Sequence, residues 1–217
     1  MAGPYTVDSY ADVVAAKIDQ RGLAQTVLLG HSMGGKVALA LAARRPPTVC
    51  SLVLLAPSPP TPEPITDSAR AALLAQWAIH DAAERTLAGI TGRALSEDAR
   101  NRAIDDLTRC GKAAWSAWLN FGSREDIAAA MPRISVPVAL LSGSCDTVLP
   151  TALISREVAA RLCNASMGII PGAGHLLTLE APDAVAAAIV SFVHGQADGR
   201  RIGTTTNDPS ADVIRTG

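Results

Sequence analysis

Three stretches of the chain are unbroken apolar runs of strand length: Thr26–Gly30, Cys50–Ala56 and Val136–Gly143. They are rich in leucine and β-branched residues and lack polar alternation, the pattern of parallel strands covered on both faces. Ser166–Pro171 is a weaker fourth. Between these runs, apolar positions recur at helical spacing over about Val7–Arg21, Gly34–Arg44, Thr151–Leu162 and Pro182–His194. The second helix closes on Arg44 and Arg45 before Pro46, and the last opens on Pro182 and Asp183, favourable end and start signals. Strands alternating with helices predict a mostly parallel, doubly wound α/β sheet.

One segment breaks the alternation. Proline-rich Pro57–Pro64 leads into Thr66–Met131, which is helical in pattern and holds no strand candidate. Thr66 and Ser96 are placed to cap helices, Ser96 with Glu97 and Asp98 behind it. Residues 61–131 therefore read as a helical cap inserted into a core built from 1–60 and 132–194. From Gly195 onward the chain is polar and aperiodic, and 195–217 reads as a disordered tail.

Composition removes several function classes. Nineteen basic and twenty acidic residues give a net charge of −1, and no basic stripe of the kind nucleic-acid binding needs is present. Cys50, Cys110, Cys145 and Cys163 are scattered without a CxxC pair, which argues against zinc or a disulfide framework and for a reduced, cytoplasmic setting. The first residues lack the basic and apolar regions of a secretory signal. The longest apolar stretch, Ala184–Val193, is about half a membrane span, so no membrane association is expected.

Chemistry concentrates in Gly30-His31-Ser32-Met33-Gly34-Gly35, where a strand runs into a helix through G-x-S-x-G. A serine hydroxyl raised on so tight a turn needs tiny neighbours two residues away on each side, which Gly30 and Gly34 supply. The new helix aims its first N–H groups at the serine, making Met33 N–H an oxyanion donor. A serine also needs a base, and the base needs an acid. Asp146 follows the strand Val136–Gly143, at the edge where open α/β sheets bind ligands. His175 sits in the glycine-rich loop Gly172-Ala173-Gly174 after the fourth strand. The plainer alternatives are an incidental turn serine, a helix-capping aspartate and a loop histidine bonded to backbone. His31, His80 and His194 compete poorly as the base.

These motifs, with Pro150 after Asp146 and Glu180 and Pro182 after His175, make the chain resemble the α/β-hydrolase superfamily in its serine-nucleophile, esterase-like branch, over roughly Tyr5 to Phe192. The resemblance implies a Ser32–Asp146–His175 triad acting on a small-molecule ester-like substrate, with no metal and no organic cofactor. Glu180 is then a structural acceptor steadying the loop or helix start. Trp77, Trp115 and Trp118 either line a substrate pocket under the cap or pack the cap's own core. The same elbow also serves cofactor-free haloperoxidases (perhydrolases), carbon–carbon bond hydrolases and proline iminopeptidases. Branches with an aspartate nucleophile do not match.

The chain departs from the family before the nucleophile. The family places further strands and an HG-type loop there, carrying a second oxyanion donor, whereas only thirty-one residues precede Ser32 and none forms such a motif. The expectation is a frame lacking its N-terminal strands, with Thr26–Gly30 exposed at a sheet edge. An apolar edge is an aggregation hazard, so a partner or a second copy covering it is expected if the chain stands as written. A non-catalytic fragment that binds a partner through that edge is the alternative from another class.

Overall fold

The four apolar runs become four parallel strands in the computed structural model, which describes residues 5–202. Strands β1 (Thr26–His31), β2 (Val49–Leu55), β3 (Val138–Gly143) and β4 (Ala165–Ile170) lie in the order β1-β2-β3-β4. Leu52, Val53, Leu54 and Leu55 of β2 are fully buried, which is why that run shows no polar alternation. The register sets Gly30 beside Leu54, Leu54 beside Leu140, and Gly143 beside Ile170. The loops that follow β1, β3 and β4 therefore leave one common edge of the sheet.

Helices α1 (Val7–Gln20) and α2 (Met33–Ala43) pack on each other beside β1 and β2. Arg44, at the end of α2, does more than close its helix: it bonds Asp8 at 2.9 Å and Asp12 at 2.6 Å on α1. The inserted segment holds α3 (Asp67–Ala75), α4 (His80–Ile90), α5 (Glu97–Arg109) and α6 (Lys112–Asn120). Thr66 and Ser96 cap α3 and α5, each accepting the N–H three residues on. Ala83, Leu87, Ala103 and Ile104 form a small core of their own between α4 and α5.

Two helices differ from expectation. The pattern over Thr151–Leu162 becomes α7 (Thr151–Glu157) and a separate 3₁₀ turn, Ala159–Arg161. The break falls at Val158, where φ is −112° and the side chain is buried completely. After the short α8 (Leu177–Glu180), helix α9 runs from Pro182 to Ile202, past His194. The expected tail from Gly195 thus begins as helix, although Gly195 and Gly199 each cost about 1 kcal/mol in a helix interior. Residues 203–217 lie outside the described residues. Among the described residues no helix is long and apolar enough to cross a membrane.

Strand β1 lies at the sheet edge, with Val27 36% and Leu29 49% exposed. Beside it runs an apolar groove of about 470 Å³ lined by Tyr10, Val14, Leu29, Met33 and Val37 among others. Stability and aggregation should therefore separate by position. Leu54→Ala should cost about 3 kcal/mol in urea unfolding, the usual cost of a cavity in a core. Leu29→Lys should change stability by less than about 0.5 kcal/mol and should lower light scattering of the concentrated protein.

Candidate active site

Ser32 stands between β1 and α2 with φ 51° and ψ −122°, backbone values an ordinary residue avoids. Its N–H donates to Leu55 O at 3.1 Å, and its carbonyl accepts from Gly35 and Ser58 N–H at 2.8 and 2.9 Å. The turn is that tight because Gly30 has no side chain: a Cβ there would stand 2.4 Å from Gly34 O. Gly34 is different, since a Cβ there meets nothing within 4 Å. The expected demand for a tiny residue holds on the strand side only, because Gly34 faces the open groove beside β1. Gly35 makes room for Pro57, whose Cβ a side chain would meet at 2.5 Å. Met33 opens α2, where the first N–H groups have no acceptor within the helix.

Asp146 and His175 are both about 5% exposed. Asp146 Oδ1 accepts Val148 and Leu149 N–H at 2.8 and 2.9 Å, leaving Oδ2 to accept from His175 Nδ1 at 2.9 Å. With Nδ1 donating, His175 Nε2 is free to accept, and Ser32 Oγ lies 3.0 Å from it. The aspartate loop and the histidine loop touch at backbone distance: Cys145 N–H bonds Ala173 O at 2.9 Å. A Cβ on Gly143 would stand 2.2 Å from Gly174 O.

His31 turns back across the site, its Nε2 lying 2.8 Å from His175 O. A carbonyl only accepts, so His31 carries its proton on Nε2. Burial first, and then the neighbouring His175, hold the His31 pKa below its ordinary value.

Sequence reasoning missed Lys36, one turn into α2 and fully buried. Its Nζ donates to Thr61 O at 3.2 Å and Glu125 O at 2.5 Å, pinning the proline-rich strap and the exit of the cap to the elbow helix. Burial pushes its pKa down. Glu63 on the strap is pushed up by burial, with Ser58, Lys36 and His175 pulling it back in part. A lone cation inside the apolar run Met33–Ala43 was the signal available.

The structure brings Ser32, Asp146, His175, Met33, Gly30, His31 and Gly34 together and uses the tryptophans elsewhere. Trp77 Nε1 donates to Cys110 O at 2.8 Å and Trp115 Nε1 to Leu73 O at 3.2 Å, both within the cap. Trp118 packs against the sheet-side core and over Gly122. Trp77 and Trp115 thus bond within the cap, while Trp118 joins the sheet-side core rather than the cap's own. Metal-type ligands gather at His80, Asp81 and Glu84 on the start of α4. Glu84 is committed to Arg100 at 2.6 Å and the other two are exposed, unlike a convergent, buried donor set.

Similarity to other proteins points the same way as the fold. Residues 2–188 match the Alpha/beta hydrolase family. The pimeloyl-[acyl-carrier protein] methyl ester esterase of Aromatoleum aromaticum is 29% identical over 211 residues, covering 89% of this chain and 82% of that protein. RutD of a Caulobacter species, named as a candidate carbamate hydrolase, is 29% identical over 208 residues, 91% of this chain and 76% of its own. An esterase from Exiguobacterium antarcticum superposes with a TM-score of 0.81 at 19% identity, over 89% of this chain and 76% of its own, a likeness of fold. With a parallel sheet flanked by helices and a family match over most of its length, the chain belongs to the alpha/beta hydrolase family.

Proposed function

We propose that this hydrolase cleaves ester-like or related carbonyl substrates through an acyl-enzyme on Ser32. The observation that carries the reading is the relay itself: Asp146 Oδ2 to His175 Nδ1 at 2.9 Å and His175 Nε2 to Ser32 Oγ at 3.0 Å. Both distances lie within hydrogen-bond reach, and the base is oriented by an acid whose other oxygen is already satisfied.

In the first half-reaction Ser32 Oγ bonds the carbonyl carbon while its proton passes to His175 Nε2. The carbonyl π pair moves onto oxygen, where Met33 N–H donates to it. Asp146 stabilises the imidazolium through Nδ1. Collapse breaks the bond to the leaving oxygen or nitrogen, which takes the proton from Nε2. Water, deprotonated by the same nitrogen, then attacks the acyl-serine, and Ser32 leaves with the proton returned. The sum is one carbonyl–heteroatom bond exchanged for water. The ester hydrolase and the candidate carbamate hydrolase among the relatives are consistent with this bond class, which is why the substrate is kept to it.

Assay of p-nitrophenyl esters of graded acyl length tests the reading. Ser32→Ala should fall to the uncatalysed background and lose its fluorophosphonate label, whereas equal rates for variant and wild type would remove the proposal. Asp146→Asn should lower kcat by roughly 10⁴, the loss seen when an acid no longer fixes the tautomer of its histidine.

His31 adds a pH condition. Its folded pKa lies below the unfolded value of about 6.5, so just below that pH the unfolded chain binds more protons than the folded one. Its contribution is full above about pH 6.5 and is lost as pH falls through the folded pKa. His31→Gln, which keeps an N–H donor at that place, should flatten the rise of unfolding free energy with pH just below about 6.5. Parallel profiles for the two proteins would show that His31 does not titrate on unfolding.

A further inference from the structure

Leu176 packs against the small core between α4 and α5. Among the described residues, the hydrogen bonds between the cap and the loops of the candidate triad fall on one short segment, residues 89–93 at the end of α4 and just beyond it. Gly89 O accepts from Thr147 Oγ1 at 3.0 Å, one residue beyond Asp146. Ile90 O accepts the His175 N–H at 2.7 Å. Gly92 and Gly174 meet backbone to backbone: a Cβ on Gly92 would stand 2.6 Å from Gly172 O, and one on Gly174 would stand 2.4 Å from Ile90 O. Arg93 Nη2 reaches Pro171 O at 2.5 Å.

Two strands of irregular backbone pressed together leave N–H groups without a ladder to join. Four of them converge on one carboxylate. Glu180 Oε2 accepts from Gly92, Arg93 and Gly174 N–H at 2.7, 2.9 and 2.8 Å, and Oε1 accepts from Leu176 N–H at 3.0 Å. Glu180 is 7% exposed. Two of its donors come from the cap and two from the residues on either side of His175.

We propose that Glu180 is a positioning residue that clasps cap segment 89–93 to the residues flanking His175 and thereby sets the imidazole against Ser32 and Asp146. The proposal rests on His175 being the base of the function proposed above. Its physical content is that a neutral side chain cannot replace the carboxylate. A glutamine offers one oxygen and turns an amide N–H toward the other donor, and an alanine takes the acceptor from all four N–H groups, that of the buried Gly174 among them.

The test uses the full chain with Glu180→Ala and Glu180→Gln, reading two quantities. The first is p-nitrophenyl ester kinetics: Glu180→Ala should lose about 10²-fold in kcat with KM changed less than about threefold, since a misplaced base costs turnover more than binding. Glu180→Gln should recover part of that loss. The second is the low-field proton NMR signal of His175 Nδ1–H on Asp146, assigned by its absence in Asp146→Asn. It should broaden or vanish in Glu180→Ala and persist in weakened form in Glu180→Gln. A folded Glu180→Ala with wild-type kcat, or with that signal unchanged, overturns the proposal. If Glu180→Ala does not fold, Glu180→Gln is judged on the same two quantities, and a wild-type result overturns the proposal. If the wild-type chain hydrolyses nothing, the proposed reaction fails, and the NMR signal alone decides whether Glu180 positions His175.

Discussion

Everything chemical in this protein depends on two loops meeting without side chains between them. Strand β3 ends on Gly143, and the loop after β4 lies directly against it: a Cβ on Gly143 would stand 2.2 Å from Gly174 O and 2.3 Å from Ala173 O. That contact puts the Asp146 carboxylate beside the His175 ring. A parallel sheet makes the meeting possible, because neighbouring parallel strands deliver their following loops to the same edge. Glycine makes it close enough for a 2.9 Å hydrogen bond.

The electrostatics follow from this packing. A buried carboxylate is costly unless hydrogen-bonded, and Asp146 meets that cost with two backbone N–H groups on one oxygen. The other oxygen can then fix the tautomer of His175. His31 holds the same ring from behind through its carbonyl and is kept neutral by its own burial, so it adds a donor without adding a competing charge. Strain at Ser32 is held by bonds from Leu55, Gly35 and Ser58, two of them from the segment that follows or ends β2.

Much of this was legible in the residues. Apolar runs without alternation marked the four strands to within about two residues, and punctuation at Pro46, Thr66, Ser96 and Pro182 marked helix ends. The elbow was readable because a strand, G-x-S-x-G and a helix occur in that order. What was not legible lies in long-range contacts. Nothing local distinguishes Gly30, pressed on Gly34 O, from Gly34, which faces open space. The tryptophans invited a pocket reading, yet two of them spend their indole N–H groups on cap carbonyls. Helix α7 ends at Val158, where the residues carry no breaker. The acceptors of Lys36 and the two cap donors on Glu180 lie 25 to 89 positions away, so spacing along the chain could not announce them.

The open edge of β1 and the relay are separable for a related reason. Each hydrogen bond that defines the relay runs toward β2, β3, β4 or the cap: Ser32 N–H to Leu55, Asp146 to Val148 and Leu149, His175 to Ile90. None runs across the outer side of β1. Exposed Val27 and Leu29 therefore bear on aggregation and on the energy of the sheet, while the alignment of Ser32 with His175 is carried by the covered side. What the edge does affect is the elbow's outer wall, because Met33 and Gly34 line the same groove as Leu29. Whatever fills that groove changes the surroundings of the Met33 N–H, the oxyanion donor of the proposed mechanism, before it changes the distance between serine and histidine.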